Sequence, residues 1–89
     1  MKPYNTLTYD EKLACISLYP EESKKDMDNY IRQEAYRSFG YTEEAKEDSD
    51  WEIRQEAYRS LSYTEESKKD SHWAIRLEAE LYFKVKDNK

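Results

Sequence analysis

The chain of 89 residues has little of what breaks or staples a fold. It holds one Gly and two Pro, too few for a loop-rich or β-rich chain, whose turns depend on them. Cys15 is the only cysteine, so no internal disulfide can form and a reducing compartment fits. His72 is the only histidine, so neither residue has a Cys or His companion for a metal site, and no metal or cofactor is expected. Basic charge is also in deficit: 15 Lys and Arg stand against 20 Asp and Glu, a net charge of −5. Neither nucleic acid nor an anionic membrane is therefore an expected direct ligand. No apolar run reaches the ~20 residues of a membrane span. The start, MKPYNTLTYDEK, lacks the apolar core of a signal peptide. A soluble cytoplasmic protein is expected, in the host cytoplasm if a phage encodes it.

Helix formers such as Glu, Lys, Ala and Arg are abundant, with 39% of residues charged and 37% hydrophobic. Nine Tyr, two Trp and two Phe must supply much of any core. The length allows one domain, 1–89, with a modest stability margin.

A 22-residue unit recurs. Residues 26–47 read DMDNYIRQEAYRSFGYTEEAKE and residues 48–69 read DSDWEIRQEAYRSLSYTEESKK, identical at 15 of 22 positions. A partial third copy, 70–89, starts DSHWAIRLEAE, and residues 1–25 form an atypical first unit. Such a period marks stacked units that bury their apolar faces only against neighbours, with divergent ends acting as caps.

In the middle copy Ile53, Ala57 and Leu61 make one helical stripe, widened by Trp51 and Tyr58, and predict a helix over about 51–61. Ser49 with Glu52 fits a capping box, and Asp50 competes as the cap. The stripe recurs as Ile31, Ala35, Phe39 and as Ile75, Ala79, Phe83. A short helix should follow each long one. Thr42 and Thr64 are its expected caps, acids fill its first turn and Lys46, Lys68 and Lys69 its last. The small residues Ser23, Ala45 and Ser67 recur at one place and suggest close approach there. In the first unit Thr8 with Glu11 fits a capping box, and Leu13, Ala14, Ile16 and Leu18 give an apolar helix ending at Tyr19–Pro20. The expected core is Leu13, Ile16, Ile31, Ala35, Phe39, Ile53, Ala57, Leu61, Ile75, Ala79 and Phe83, with Tyr41, Tyr58 and Tyr63 as packing residues.

An aliphatic residue followed by Arg, six residues after an Asp, occurs three times: Asp26 with Ile31–Arg32, Asp48 with Ile53–Arg54, and Asp70 with Ile75–Arg76. With the EAYRS-[FL]-[GS] that follows, this resembles HEAT-like repeats, although those run about 40 residues. The 22-residue length is closer to the leucine-rich-repeat-variant class, which alternates a long and a short helix. The resemblance implies an all-α fold, an α-solenoid of alternating long and short helices. It implies an inter-repeat ladder of Asp26, Arg32, Asp48, Arg54, Asp70 and Arg76. It also implies protein binding without an enzymatic activity.

Two kinds of surface are candidates for a partner protein. Glu43, Glu44, Glu65 and Glu66 recur with the repeat and would form acidic rows at the ~10 Å spacing of stacked helices. Ordered carboxylates of this kind suit a small phage-type inhibitor that mimics nucleic-acid phosphates and blocks a nucleic-acid-binding protein. Arg37, Arg59, Trp51 and Trp73 are hot-spot residue types, although the core is the expected place for both Trp. Finally, Leu77, Leu81 and Tyr82 stand where the middle copy has Gln55, Arg59 and Ser60. Together with Val85 they predict an exposed apolar patch on the last helix and a homodimer. His72 is expected to be an exposed loop residue at a cap position, and Cys15 a buried small hydrophobe.

Overall fold

The long helices begin where a side chain can accept the first free backbone N–H groups. The computed structural model describes residues 1–88 and places α3 at Asn29–Phe39, α4 at Trp51–Leu61 and α5 at Trp73–Asp87, after α1 at Tyr9–Ala14 and α2 at Pro20–Lys24. Asp28 Oδ1 accepts from the N–H of Tyr30 and Ile31 at 2.8 and 3.2 Å. Asp50 Oδ1 accepts from Glu52 and Ile53 at 2.8 and 3.3 Å, so Asp50 rather than Ser49 is the cap. His72 does the same for α5 with Nδ1, which accepts from Ala74 N–H at 3.1 Å. Each cap satisfies donors that have no partner inside the helix.

The far ends differ. At Gly40 (φ 96°) and Ser62 (φ 132°) the chain turns left-handed and α3 and α4 stop. Lys84 stands at the equivalent place in the third copy. As a good helix former it lets α5 run on for 15 residues against 11 in α3 and α4.

The short segments are single turns: α2, where Pro20 occupies the first helical turn, and 3₁₀ turns at Glu43–Glu47 and Glu65–Lys69. Thr42 makes no side-chain capping bond. In the second turn the cap is made by Ser67, whose hydroxyl accepts Thr64 N–H at 3.0 Å and donates to the Thr64 carbonyl. The first unit has the expected capping box, with Thr8 Oγ1 on Glu11 N–H and Glu11 Oε1 on Thr8 N–H. Its helix, however, stops at Ala14, and a 3₁₀ turn at Ile16–Leu18 leads to α2. Pro20 forces Tyr19 out of helical geometry (φ −134°) and so separates the two elements.

The described residues pack as two compact units, one up to Gly40 and one from Tyr41 onward. In the first, α1, the Ile16–Leu18 turn and α2 pack on α3, burying Ile16, Tyr19, Ser23, Ile31, Ala35 and Tyr36. In the second, the Glu43–Glu47 turn packs on α4 and the Glu65–Lys69 turn on α5. Tyr58, Tyr63, Ile75 and Ala79 form its core, with Trp51, Tyr82 and Phe83 against them. Ser23, Ala45 and Ser67 are fully buried, as are Ala35, Ala57 and Ala79, so small side chains line each contact between a short segment and its long helix.

All regular structure among the described residues is helical, which establishes the all-α class. Four members of the expected core are displaced. Phe39 and Leu61 are exposed, because they end their helices beside the turns at Gly40 and Ser62. Leu13 and Phe83 are half-buried. Aromatic rings take their place: Tyr19, Tyr36, Tyr58 and Tyr63 are buried, and Tyr58 stacks on Tyr63 with centroids 5.7 Å apart.

Candidate interaction surface

The Asp and Arg of each repeat build the start of a helix before anything else. Arg32 Nη1 donates to the carbonyls of Asp26 and Met27 at 2.8 and 3.0 Å. Arg54 Nη1 donates to those of Asp48 and Ser49 at 2.9 and 3.2 Å, and Arg76 Nη1 to that of Asp70 at 2.7 Å. Each Asp turns its carboxylate to the next cap: Asp26, Asp48 and Asp70 accept the N–H of Asp28, Asp50 and His72 at 2.8, 2.9 and 2.9 Å. An Arg thus grips the backbone of its own repeat, and its other edge faces outward.

Within the second unit that outer edge crosses to the next repeat. Arg54 Nε and Nη2 donate to Asp70 Oδ2 and Oδ1 at 3.0 and 2.9 Å, a two-point ion pair. The side chains are only 13% and 7% exposed. Burial alone pushes the Asp70 carboxyl up, but Arg54 and the His72 N–H outweigh it and hold it below its usual value. In the first unit Asp26 Oδ2 is met by the Tyr4 hydroxyl at 2.6 Å and Lys12 Nζ at 3.5 Å. Lys12 and Tyr4 therefore close that end. Burial and Asp26 push the Tyr4 phenol up to about 12. Arg76 is exposed and has no carboxylate partner among the described residues.

A second junction joins α4 to α5. Glu78 on α5 accepts from Gln55 Nε2 at 2.7 Å, from Arg59 Nε at 3.0 Å and from the Tyr63 hydroxyl. Arg59 holds the Glu78 carboxyl down against burial, and burial with Glu78 pushes the Tyr63 phenol well above its usual value. Arg59 also binds Glu56 at 2.7 Å. Its side chain, 47% exposed, is thus held on both carboxylates. The recurrence of Glu34, Glu56 and Glu78 three residues before Arg37, Arg59 and Leu81 is the signal that could have shown this junction.

The remaining candidates divide. Glu43, Glu44, Glu65 and Glu66 are all exposed. Lys46 and Lys68 bind Glu43 and Glu65 at 3.1 and 3.3 Å, which neutralises half of the acidic set. Arg37 is exposed and pairs with Glu34 at 2.8 Å. Trp51 is half-buried, its ring lying flat on His72 with centroids 3.8 Å apart. His72 is therefore a packed cap and not an exposed loop residue. Trp73 is 65% exposed, contrary to the core expected for it; Trp51, at the same repeat position, is covered by His72 of the next repeat. Cys15 is half-buried.

Along α5 the apolar residues outside the core stay uncovered: Leu77 is 51%, Leu81 52% and Val85 62% exposed. Tyr82 is not part of this free surface. It is half-buried between Tyr63 and Phe83, with its hydroxyl 3.0 Å from Ser62 Oγ. Beside the stripe lies a groove of ≈ 550 Å³ lined by Tyr63, Glu78, Leu81, Tyr82, Val85 and Lys86. Among the described residues no three His, Cys, Asp or Glu are grouped to hold a metal, and no helix is long and apolar enough to cross a membrane. Compared with known protein families, curated proteins and solved structures, the chain matches none of them.

Proposed function

We propose that the chain is a non-enzymatic protein-binding module of the α-solenoid type, HEAT-like in its Asp–Arg ladder, which recognises its partner through the outward face of α5. The observation that supports this is the change of character between α4 and α5. On α4, Gln55 and Arg59 reach across to Glu78 on the next helix. On α5 the same repeat positions carry exposed Leu77 and Leu81. Contiguous exposed apolar side chains on a small, highly charged protein mark an interface. Trp73 at one end and the groove at the other supply anchor and pocket, the elements that concentrate binding energy.

A second reading, the acidic inhibitor that competes for a nucleic-acid-binding groove, draws support from Glu44, Glu47 and Glu66. These are exposed and have no ion pair among the described residues. Capture of the cellular partner on immobilised protein separates the two. Leu77→Glu with Leu81→Glu should abolish capture under the first reading and leave it intact under the second. Reversal of Glu43, Glu44, Glu65 and Glu66 to Lys should do the opposite, with binding that falls steeply with salt. Retention of the partner by both variants would refute both readings.

A further inference from the structure

We infer that the outward face of α5 binds the same face of a second copy, as an antiparallel helix pair about a two-fold axis at Leu81. This rests on the reading that α5 is the recognition surface, and adds the partner. The face is a docking face by construction. Arg54, Gln55, Tyr58 and Arg59 are among the α4 residues that hold α5, through Asp70, Glu78 and the core. Their counterparts one repeat later are Arg76, Leu77, Glu80 and Leu81. The helix therefore presents outward the surface that its predecessor uses to hold a neighbour, with Arg76 still gripping its own backbone and its outer edge unpaired.

The other end of the repeat series offers no match for it. The first carboxylate of the series, Asp26, already takes the Tyr4 hydroxyl, Lys12 and the Asp28 N–H. Head-to-tail growth, which would need that carboxylate for Arg76, is thus blocked. A surface that cannot meet the opposite end of another copy can still meet itself, and a two-fold pair closes without growing into a filament.

The charges of α5 fit that pairing. A helix advances about 100° per residue, so Trp73, Leu77 and Leu81 form one slowly winding stripe, with Arg76, Glu80 and Asp87 along one edge and Lys84 close beside it. In an antiparallel pair centred on Leu81, that residue faces itself and Leu77 faces the second copy's Val85. The same charged edge of each copy then meets, and Glu80 lies nearest the second copy's Lys84. Glu80 and Lys84 have no ion pair among the described residues, so both are free to pair. In a parallel two-fold pair this edge would face the opposite edge of the second copy, and Glu80 would not meet Lys84. Exposed pairs add little affinity, so they set the direction while the apolar stripe supplies the attraction. A helix of 15 residues gives a small interface, and the dissociation constant should be on the order of micromolar.

Sedimentation equilibrium on the full chain tests this. The mass should rise from that of one chain to that of two with increasing concentration. Leu81→Glu should hold the chain monomeric at every concentration, with an unchanged circular dichroism spectrum. Glu80→Lys should weaken association roughly tenfold, and adding Lys84→Glu should restore it. As a check independent of stability, Leu81→Cys in a Cys15→Ser background should form an interchain disulfide on mild oxidation, whereas Met27→Cys, on a fully exposed loop, should not. A wild-type chain that stays monomeric, or a dimer indifferent to Leu81→Glu, overturns the proposal. If the chain is monomeric while Leu77→Glu with Leu81→Glu still abolishes capture of a different protein, the module reading survives and the self-pairing does not.

Discussion

Arg54 and Arg76 occupy the same repeat position, and removing each should have very different consequences. Both donate through Nη1 to backbone carbonyls at the start of their own repeat. Only Arg54 also holds a buried carboxylate, that of Asp70, at 2.9 and 3.0 Å. Arg54→Ala leaves Asp70 charged, 7% exposed and supported only by the His72 N–H. Removing one partner of a buried pair costs about 3–5 kcal/mol. The remaining N–H bond and the slight exposure place Arg54→Ala at about 3 kcal/mol. At ~4–8 °C per kcal/mol for a chain of this size, the midpoint of thermal unfolding should fall by about 12–24 °C. Arg76→Ala removes an exposed bond to one carbonyl and should cost about 1 kcal/mol or less. Thermal melts of the two variants at pH 7 provide the comparison, and Asp70→Asn with Arg54→Ala in a double-mutant cycle isolates the pair. Equal losses for Arg54→Ala and Arg76→Ala would refute the reasoning, since the ion pair with Asp70 is the main difference between the two sites.

Acid should destabilise the fold in a defined window. Asp26, Asp70 and Glu78 are all held below their usual values. The unfolded chain therefore binds protons first as pH falls, and stability should decline from about pH 4.5 downward in denaturant titrations. Tyr4 works at the other end: its phenol, pushed up to about 12, keeps its proton in the fold after the unfolded chain has lost it, so stability should fall between about pH 10 and 12. Ile53→Ala, at a fully buried position, should cost about 2–5 kcal/mol, whereas exposed Leu61→Ala should cost clearly less in the same urea titration. Ser62→Gly should relieve the strain of φ 132° and raise stability by about 1 kcal/mol, less whatever the Ser62 bond to Tyr82 contributes.

Features of the fold that repeat in the sequence were legible there. The spacing of Ile53, Ala57 and Leu61 located α4, and Ser23, Ala45 and Ser67 announced the close contacts because a small side chain has little other reason to recur at one place. Thr8 and Glu11 announced their capping box directly. What escaped depends on what lies across the gap between helices. Trp73 and Trp51 have the same residue type and the same repeat position, yet only Trp51 has a following repeat whose His72 can cover it. Glu78 looks like any helix-surface Glu until Gln55, Arg59 and Tyr63 converge on it. Tyr82 reads as a surface residue until the Tyr63 ring is placed against it. The exposed stripe on α5 was visible because Leu77 and Leu81 break the repeat's own pattern.

The grip of each Arg on the carbonyl six residues before it has a kinetic consequence. Those bonds, like the Asp bonds to the N–H groups two residues ahead, close loops of only a few residues. The entropy of closing them is small, and they can form before any helix meets its neighbour. Each repeat thus carries its own nucleus. Folding should begin at the Asp-to-Arg corners, and ion pairs such as Arg54–Asp70 should form afterwards. Substitutions at the corners should slow folding, whereas those at Glu78 should chiefly accelerate unfolding.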